Sequence, residues 1–280
     1  MTLSAETLRV QSLGGHMAGA VEGIDLGRQR DAATIAALRQ VLLDNLVLCV
    51  RGQTMGPRDY LAAMRGFGTP LIRRQNSQHR EAEEINILSS EDRDTLGDGR
   101  RLIVGAAWHT DDSFMAQPCS LTMLYGIVVP SSGGDTQFTN MYAAYDGLPT
   151  ATQRRIADLR VVHKWEATRK RNFVATLSKE LPDAVHPLVR THPETGRKAL
   201  YLNPNRMEEI VGMARAESDV LLDALIEHAT QPQYQYRHKW RRGDIVIWDN
   251  RCTMHKANAD YPAGERREMH RIVLEGTVPV

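Results

Sequence analysis

The residues best suited to chemistry are His109 and Asp111, in the stretch Trp108-His109-Thr110-Asp111, and His255 far downstream. On an extended strand, residues two apart point to the same face, so His109 and Asp111 can offer a nitrogen and a carboxylate oxygen to one point. With His255 as third ligand, these groups leave half of an octahedral ion open, which suits a non-heme Fe(II) that binds a cosubstrate and oxygen. A solvated surface pair, or a hydrolytic zinc site, uses the same residue types.

A pair of arginines lies on the last predicted strand of the chain. If this segment is extended, Arg267 and Arg271 share a face with the apolar Met269. A charged side chain on an inward apolar face is costly unless an anion meets it, so this arrangement predicts a ligand with a carboxylate. The opposite orientation, with Ile272 and Leu274 inward and both arginines in solvent, fits the strand pattern equally well.

Composition describes an ordinary globular protein of 280 residues, with 42% hydrophobic and 25% charged residues. No segment approaches the run of about 18 apolar residues that a membrane span needs, and the N-terminal residues lack the basic-then-apolar order of a signal peptide. Cys49, Cys119 and Cys252 are odd in number and widely separated, and the net charge is +1. We therefore expect a cytoplasmic enzyme with reduced thiols that binds neither membrane nor nucleic acid.

The pattern of short strands with inserted helices predicts a mainly β fold. Helical periodicity covers 32–46, 57–65, 142–160 with a break at 148–149, and 218–228. Strands are expected near 46–50, 85–88, 120–129, 159–163, 188–192, 199–202, 234–240, 244–249 and 269–275, besides two around Gly14 and Gly15. Because strands and helices do not alternate, this order favours an antiparallel barrel or jelly roll decorated by helices, in a single domain covering 1–280. No GxGxxG or GxxxxGK[ST] motif supports a nucleotide-binding sheet.

A long polar connection runs from about 70 to 101, interrupted by one strand-like segment at 85–88. Polar connections of this length inside a compact domain tend to be lids or binding loops, so we expect a substrate lid here. A solvated surface excursion is the alternative interpretation.

Several motifs together resemble the taurine dioxygenase and 2,4-D dioxygenase family, known as TauD/TfdA. They are His109-Thr110-Asp111, Ser132-Gly133-Gly134-Asp135-Thr136, His186-Pro187-Leu188-Val189-Arg190-Thr191-His192-Pro193, Gly196-Arg197-Lys198-Ala199-Leu200-Tyr201-Leu202-Asn203, Trp248-Asp249-Asn250-Arg251 with His255, and Arg266-Arg267-Glu268-Met269-His270-Arg271. They occur in the family's order from about Arg51 onward, and their combination is far more specific than any one of them. The resemblance implies a double-stranded β-helix, a jelly roll of cupin-like type, with Fe(II) as metal and 2-oxoglutarate and O2 as cosubstrates.

The resemblance also assigns roles to individual residues. His109, Asp111 and His255 would bind iron, and Thr136 would contact 2-oxoglutarate. Matching on Arg-x-Met-His-Arg selects Arg267 rather than Arg266 for the distal carboxylate of 2-oxoglutarate. Arg271 corresponds to the family arginine that holds the acidic group of the prime substrate, which implies a small anionic molecule.

The rest of the substrate pocket departs from the taurine dioxygenase pattern. Arg73 and Asn76 stand about where that enzyme has its taurine-binding His and Tyr, Gly105 replaces an Asn, and Arg206 falls near a Phe. These positions, together with Asp112, which follows the ligand candidate Asp111, are expected to select a substrate other than taurine.

The expected activity is hydroxylation of a substrate C–H bond, followed by ether or C–S cleavage where the substrate is a phenoxyalkanoate or a sulfonate. One alternative is a hydroxylase of an amino acid or other carboxylic acid in biosynthesis. Another, from a different class, is an inactive cupin-like binding protein. The family implies a homo-oligomer, either a dimer or a tetramer.

Overall fold

The computed structural model describes residues 8–73, 77–90, 105–169 and 182–280, which form five α-helices and sixteen strands. The helices are α1 (Ala32–Asn45), α2 (Pro57–Met64), α3 (Met141–Asp146), α4 (Thr150–Ile156) and α5 (Arg215–Ala229). The strands are β1 (Val10–Gly14), β2 (Met17–Val21), β3 (Val47–Val50), β4 (Ser77–His79), β5 (Ala82–Ser89), β6 (Leu121–Val128), β7 (Thr136–Asn140), β8 (Arg160–His163), β9 (Ala184–Pro187), β10 (Val189–Thr191), β11 (Lys198–Leu200), β12 (Met207–Ile210), β13 (Gln235–His238), β14 (Ile245–Asp249), β15 (Thr253–Ala257) and β16 (Glu268–Val273). Among these residues, no helix is both long and apolar enough to cross a bilayer.

One large sheet forms the back of the molecule, with strand order β1-β2-β3-β14-β6-β16-β5-β4. All neighbours pair antiparallel except β2 with β3, which follow each other through α1 and run parallel. Its central strands β14 and β6 are almost continuously apolar because both of their faces are covered.

The outer face of the large sheet is covered by α1 and α2. The Asp31 side chain caps α1 by accepting a hydrogen bond from the backbone N–H of Thr34, and Leu46 ends the helix with a left-handed φ of 64°. The buried residues Leu38 and Leu42 of α1 join a cluster with Leu48 on β3. This apolar face fixes the helix against the sheet and turns the chain directly into β3.

The inner face of the large sheet packs against a second layer, which consists of the sheets β13-β7-β15, β12-β8-β9 and β10-β11. Phe138 and Met254 from the second layer meet Trp248 and Met269 from the large sheet in one buried cluster, which continues beneath α3 and α5. Two facing antiparallel layers with helices inserted between their strands form a jelly roll, as the sequence predicts.

Five strands, β4, β7, β9, β12 and β15, have no counterpart among the predicted ones. Strand β7 is central in its sheet but buries Thr136, Thr139 and Asn140, so it shows no apolar run. The Thr139 hydroxyl donates to the Ala229 carbonyl at 2.6 Å, which makes its burial tolerable. Within the predicted lid, 77–89 instead forms the hairpin of β4 and β5 at the edge of the large sheet, and 74–76 and 91–101 lie outside the described residues.

Candidate active site

The structure brings His109, Asp111 and His255 together between the two layers. His255 lies on β15, and His109 is held beside it by a single antiparallel bridge with backbone hydrogen bonds of 3.0 and 2.8 Å. One ligand atom from each of the three residues lies within 4.8 Å of the others. The expectation of a regular strand through His109 and Asp111 is wrong, because the chain makes one bridge at His109 and then enters a turn at Asp111.

The protonation states of these groups suit a divalent metal ion. Burial lowers the pKa of His255 to about 3, so its imidazole is neutral at neutral pH. Burial opposes the ionisation of Asp111, but its electrostatic interactions with His255, His109 and Arg271 lower its pKa to about 2. His109 Nδ1 lies 2.8 Å from the Ala107 carbonyl, which can only accept, so Nδ1 carries a proton and Nε2, 3.7 Å from Asp111 Oδ1, is the nitrogen available to a metal. Two imidazoles and a carboxylate form a donor set typical of first-row divalent metals.

A hydrogen-bonded network positions the carboxylate. The Thr122 hydroxyl on β6 donates to Asp111 Oδ2 at 2.6 Å, and Asn250 Nδ2 donates to the Thr122 oxygen at 2.8 Å. Asn250 Oδ1 accepts from the Trp248 indole at 3.1 Å, which fixes the orientation of the amide. The carboxylate is therefore oriented by residues on β6 and at the end of β14. Hydrogen bonds of this kind commonly orient the side chains that bind a metal.

A second group of hydrogen bonds holds the turn that carries this carboxylate. Asn203 Nδ2 donates to the Thr110 carbonyl at 2.7 Å and to the Ser113 hydroxyl at 2.8 Å. His163 Nδ1 lies 3.0 Å from the same hydroxyl, and His186 Nε2 lies 2.9 Å from the Ser113 carbonyl. The two histidines therefore support the turn and do not belong to the group of possible ligands.

Two other buried groups also bring donor atoms within 4.8 Å of one another: Cys49 with His238 and Asp244, and His192 with Asp249 and Cys252. Each carboxylate is already paired with an arginine, Asp244 with Arg51 at 2.5 Å and Asp249 with Arg251 at 2.6 Å. Burial raises the pKa of the Cys49 thiol to about 12, so the thiolate that a metal requires is disfavoured. These groups are therefore structural ion-pair clusters.

A buried arginine lies at the Gly-Gly-Asp-Thr turn. Arg267 is 8% exposed, its Nε donates to the Gly134 carbonyl at 2.9 Å, and burial lowers its pKa to about 10. It makes no ion pair with any residue that the structure describes. Gly134 has φ +67°, a backbone conformation that favours glycine, and a Cβ there would lie 3.3 Å from Arg267 Cδ, so another residue would also require this side chain to shift.

Thr136, which ends the turn, is buried, whereas Arg266, next to Arg267 in the chain, is exposed. The Thr136 side chain is buried, and its hydroxyl oxygen accepts from the Trp240 indole at 3.0 Å, which leaves the hydroxyl proton to donate. Arg266, by contrast, is 54% exposed and lies 3.4 Å from Glu268. The two adjacent arginines therefore differ completely in environment.

Arg271 lies on β16 beside the metal-ligand candidates, and its positive charge contributes to the low pKa of Asp111. Its Nε atom is buried and has no hydrogen-bonding partner among the described residues. The inward orientation of the arginine pair is therefore the one that the fold adopts.

The remaining predicted substrate residues have separate environments. Arg73 donates from two nitrogens to one carboxylate oxygen of Asp112, at 2.9 and 2.7 Å. Arg206 lies over the Trp165 ring at 4.1 Å and donates to the Trp165 carbonyl. Gly105 lies against the first histidine of the site, and Asn76 lies outside the described residues.

Sequence reasoning missed two polar residues on the strands around the site, Thr122 on β6 and Asn86 on β5. Both are buried, and both interrupt apolar runs. A polar residue inside a continuously apolar strand is the signal that could have identified them, because burial demands a partner for it.

Comparisons with known proteins agree with this geometry. The family model "Taurine catabolism dioxygenase TauD, TfdA family" matches residues 9–273. The chain is 35% identical over 269 residues to the alpha-ketoglutarate-dependent 2,4-dichlorophenoxyacetate dioxygenase of Cupriavidus pinatubonensis, covering 91% of this chain and 93% of that protein. It is 34% identical over 281 residues to the pentalenolactone F synthase of Streptomyces arenae, covering 93% and 92%.

A solved structure gives the same result. AAD-2 in complex with Mn(II) and N-oxalylglycine superposes with a TM-score of 0.82 at 31% identity, over 98% of this chain and 99% of that one. Alpha-ketoglutarate is another name for 2-oxoglutarate, so the predicted reaction class agrees with these relatives. The chain belongs to the TauD/TfdA family of 2-oxoglutarate-dependent dioxygenases.

Proposed function

We propose that this dioxygenase holds Fe(II) on His109, Asp111 and His255 and hydroxylates a C–H bond of a small anionic organic substrate. The observation that carries the proposal is the convergence of two imidazoles and one low-pKa carboxylate within 4.8 Å, where no described arginine forms an ion pair with the carboxylate. When bound, Fe(II) with 2-oxoglutarate and O2 supplies an oxidant that converts C–H to C–OH, with release of succinate and carbon dioxide.

Arg267 and Thr136 are proposed to hold 2-oxoglutarate. A buried guanidinium with no counterion among the described residues favours an anion, and its forked N–H groups match a carboxylate. The free hydroxyl proton of Thr136 adds a second donor. The AAD-2 complex supports a site for 2-oxoglutarate in this fold, because N-oxalylglycine is 2-oxoglutarate with one CH2 replaced by NH.

Protein residues prepare the site for this chemistry in three ways. The Ala107 carbonyl fixes the His109 tautomer, Thr122 orients Asp111, and the low pKa of Asp111 keeps it ionised. The apolar residues between the layers, with Phe138 next to His255, exclude water from one side of the ligand group.

Arg271 is proposed to bind the acidic group of the prime substrate. A carboxylate or sulfonate would meet its buried Nε and hold a C–H bond near the metal. Hydroxylation of a carbon that carries an ether oxygen or a sulfonate gives an unstable product, so cleavage follows for such substrates. Arg73, Asn76, Gly105, Asp112 and Arg206 remain the predicted determinants of substrate choice, with 70–101 as the predicted lid.

We further propose a cytoplasmic setting and a homo-oligomeric assembly, dimer or tetramer. The cytoplasmic setting is supported by the three cysteines, which are all buried and unpaired.

The proposal is tested by succinate release in the presence of Fe(II), 2-oxoglutarate and O2 across phenoxyalkanoates, sulfonates, sulfate esters and amino acids. Coupled release is expected with an anionic substrate and is expected to fall at least tenfold in Arg271→Ala, because a charge-assisted hydrogen bond is lost. Lys256→Ala, which removes a positive charge stacked on Trp108 outside the ligand group, is the matched control. A best substrate without an anionic group would overturn the role of Arg271.

A further inference from the structure

Two buried polar atoms on neighbouring strands lack a hydrogen-bonding partner among the described residues: Asn86 Oδ1 on β5 and Arg271 Nε on β16. Asn86 is only 1% exposed. The two residues are direct partners in the antiparallel register of these strands, which places their Cβ atoms about 5 Å apart. The unpaired atoms therefore belong to one small region of the inner surface.

Both side chains point between the two layers. Facing residues on adjacent strands share one side of a sheet, and Arg271 faces Leu124 on β6, which belongs to the buried cluster between the layers. The alternating neighbours Ile85 and Ile272 belong to the opposite cluster, beneath α1 and α2. Asn86 thus faces the same space as Arg271, whose charge acts on Asp111.

The orientation of the Asn86 amide is set by its other contact. Nδ2 donates to the Arg73 carbonyl at 2.7 Å, and because a carbonyl can only accept, the nitrogen must lie on that side. The atom left over is therefore Oδ1, an acceptor, beside the donor Nε of Arg271. A buried acceptor without a partner is unfavourable, so the pair is complementary to a ligand that presents an acceptor and a donor together.

We propose that Asn86 is a specificity-determining residue that selects acids carrying an N–H or O–H group on the carbon next to the acidic group. In this arrangement the acid binds Arg271, and the neighbouring N–H or O–H donates to Asn86 Oδ1. The inference rests on the proposed function, since Arg271 is the anchor of the acid. It favours amino, amido and hydroxy acids over phenoxyalkanoates, whose ether oxygen can only accept and would face the Asn86 oxygen.

The test uses a matched pair of probes, N-phenylglycine and phenoxyacetate, which differ only in N–H against ether oxygen. A second pair is 3-phenyllactate and 3-phenylpropionate, which differ in the hydroxyl group. Dissociation constants are measured by calorimetry on the anaerobic protein loaded with Fe(II) and 2-oxoglutarate. The donor-bearing member of each pair is expected to bind about tenfold or more tightly, the usual effect of one buried hydrogen bond that is made or left unmade.

The variant Asn86→Val is expected to remove this preference by weakening only the donor-bearing probes. Loss of affinity for both members of a pair would instead indicate that Asn86 acts through its tether to Arg73, and would overturn the proposal. Asn86→Ser, whose side chain is too short to reach the ligand, replaces the valine variant if that variant fails to fold. Equal affinities in the unmodified protein, or no binding of either donor-bearing probe at millimolar concentration, would also overturn it.

Succinate release from the same probes separates this inference from the proposed function. Release from both members of a pair at equal efficiency leaves the dioxygenase intact and removes the role of Asn86. Failure of the Fe(II)-loaded protein to bind 2-oxoglutarate contradicts the proposed function, whatever the ratio of the probe affinities.

Discussion

Replacing Arg267 by methionine should preserve or raise the stability of the ligand-free protein, and it should remove the extra stability that bound 2-oxoglutarate provides. Burial lowers the pKa of this guanidinium from 12.5 to about 10, which corresponds to about 3 kcal/mol of penalty on the charged form. Because the pKa in the folded state lies below that of the unfolded chain, the penalty is constant below pH 10 and is relieved only as the pH rises above it. Methionine keeps the apolar stem and removes the charge.

The expected result has two parts. Part of the penalty is offset by the lost hydrogen bond to Gly134, so the ligand-free variant should be as stable as the unmodified protein or more stable by about 1–2 kcal/mol. This corresponds to a rise of several degrees in the unfolding midpoint for a chain of this size. Binding of 2-oxoglutarate should weaken by about a hundredfold or more, because the carboxylate loses its charged partner.

Thermal unfolding with and without 2-oxoglutarate, in the presence of Mn(II) under anaerobic conditions, measures both parts in one experiment. Saturating ligand at about a hundred times its Kd should stabilise the unmodified protein by about 2.7 kcal/mol and the variant hardly at all. Arg266→Met, at the exposed neighbouring arginine, is the matched control and should retain the full ligand shift. The reasoning is refuted if Arg267→Met retains the shift, or if Arg266→Met loses it.

Two further substitutions test the supports of the site. Gly105→Ala places a Cβ 3.1 Å from His109 Cε1 at φ +83°, so it should cost about 1–2 kcal/mol in urea unfolding and weaken Mn(II) binding, whereas unchanged metal affinity would contradict the contact. His163 is buried, and burial lowers its pKa to about 3, so below pH 6.5 the unfolded chain binds a proton that the folded protein does not. Stability should therefore fall by up to about 1.4 kcal/mol per pH unit from this group as the pH drops from 6.5 towards 4.5, and His163→Gln should reduce that slope by the same amount. An identical slope in the variant would show that His163 titrates normally.

Sequence reasoning predicted the helices and most strands because their apolar periodicity is strong, as in α1 and β6. It missed β7, because a central strand that buries threonine and asparagine depends on hydrogen bonds from distant elements. It also assigned a strand to His109 and Asp111. There the chain turns instead, because the Asn203 amide binds the Thr110 carbonyl.

Some features of the site could likewise be predicted from the sequence, and others could not. His109 lies close to His255 because of a β-bridge between two segments that are distant in the sequence. The residue pattern alone could therefore identify the types of ligand but could not predict that these residues lie together. The difference between Arg266 and Arg267 followed from motif matching, and their burial supports the same choice. Asn86 was not singled out, since its importance arises from its register partner Arg271 and its tether to Arg73, which no local pattern contains.

The assignment of His109, Asp111 and His255 as the iron ligands is tested most directly by anaerobic addition of Fe(II) and 2-oxoglutarate to the purified protein. The weak visible charge-transfer band of an Fe(II)–2-oxoglutarate chelate is expected. His109→Ala should abolish this band, whereas Asp112→Asn, which breaks only the pair with Arg73, should leave it in place. Absence of the band in the unmodified protein, or an unchanged band in His109→Ala, would contradict the proposed site.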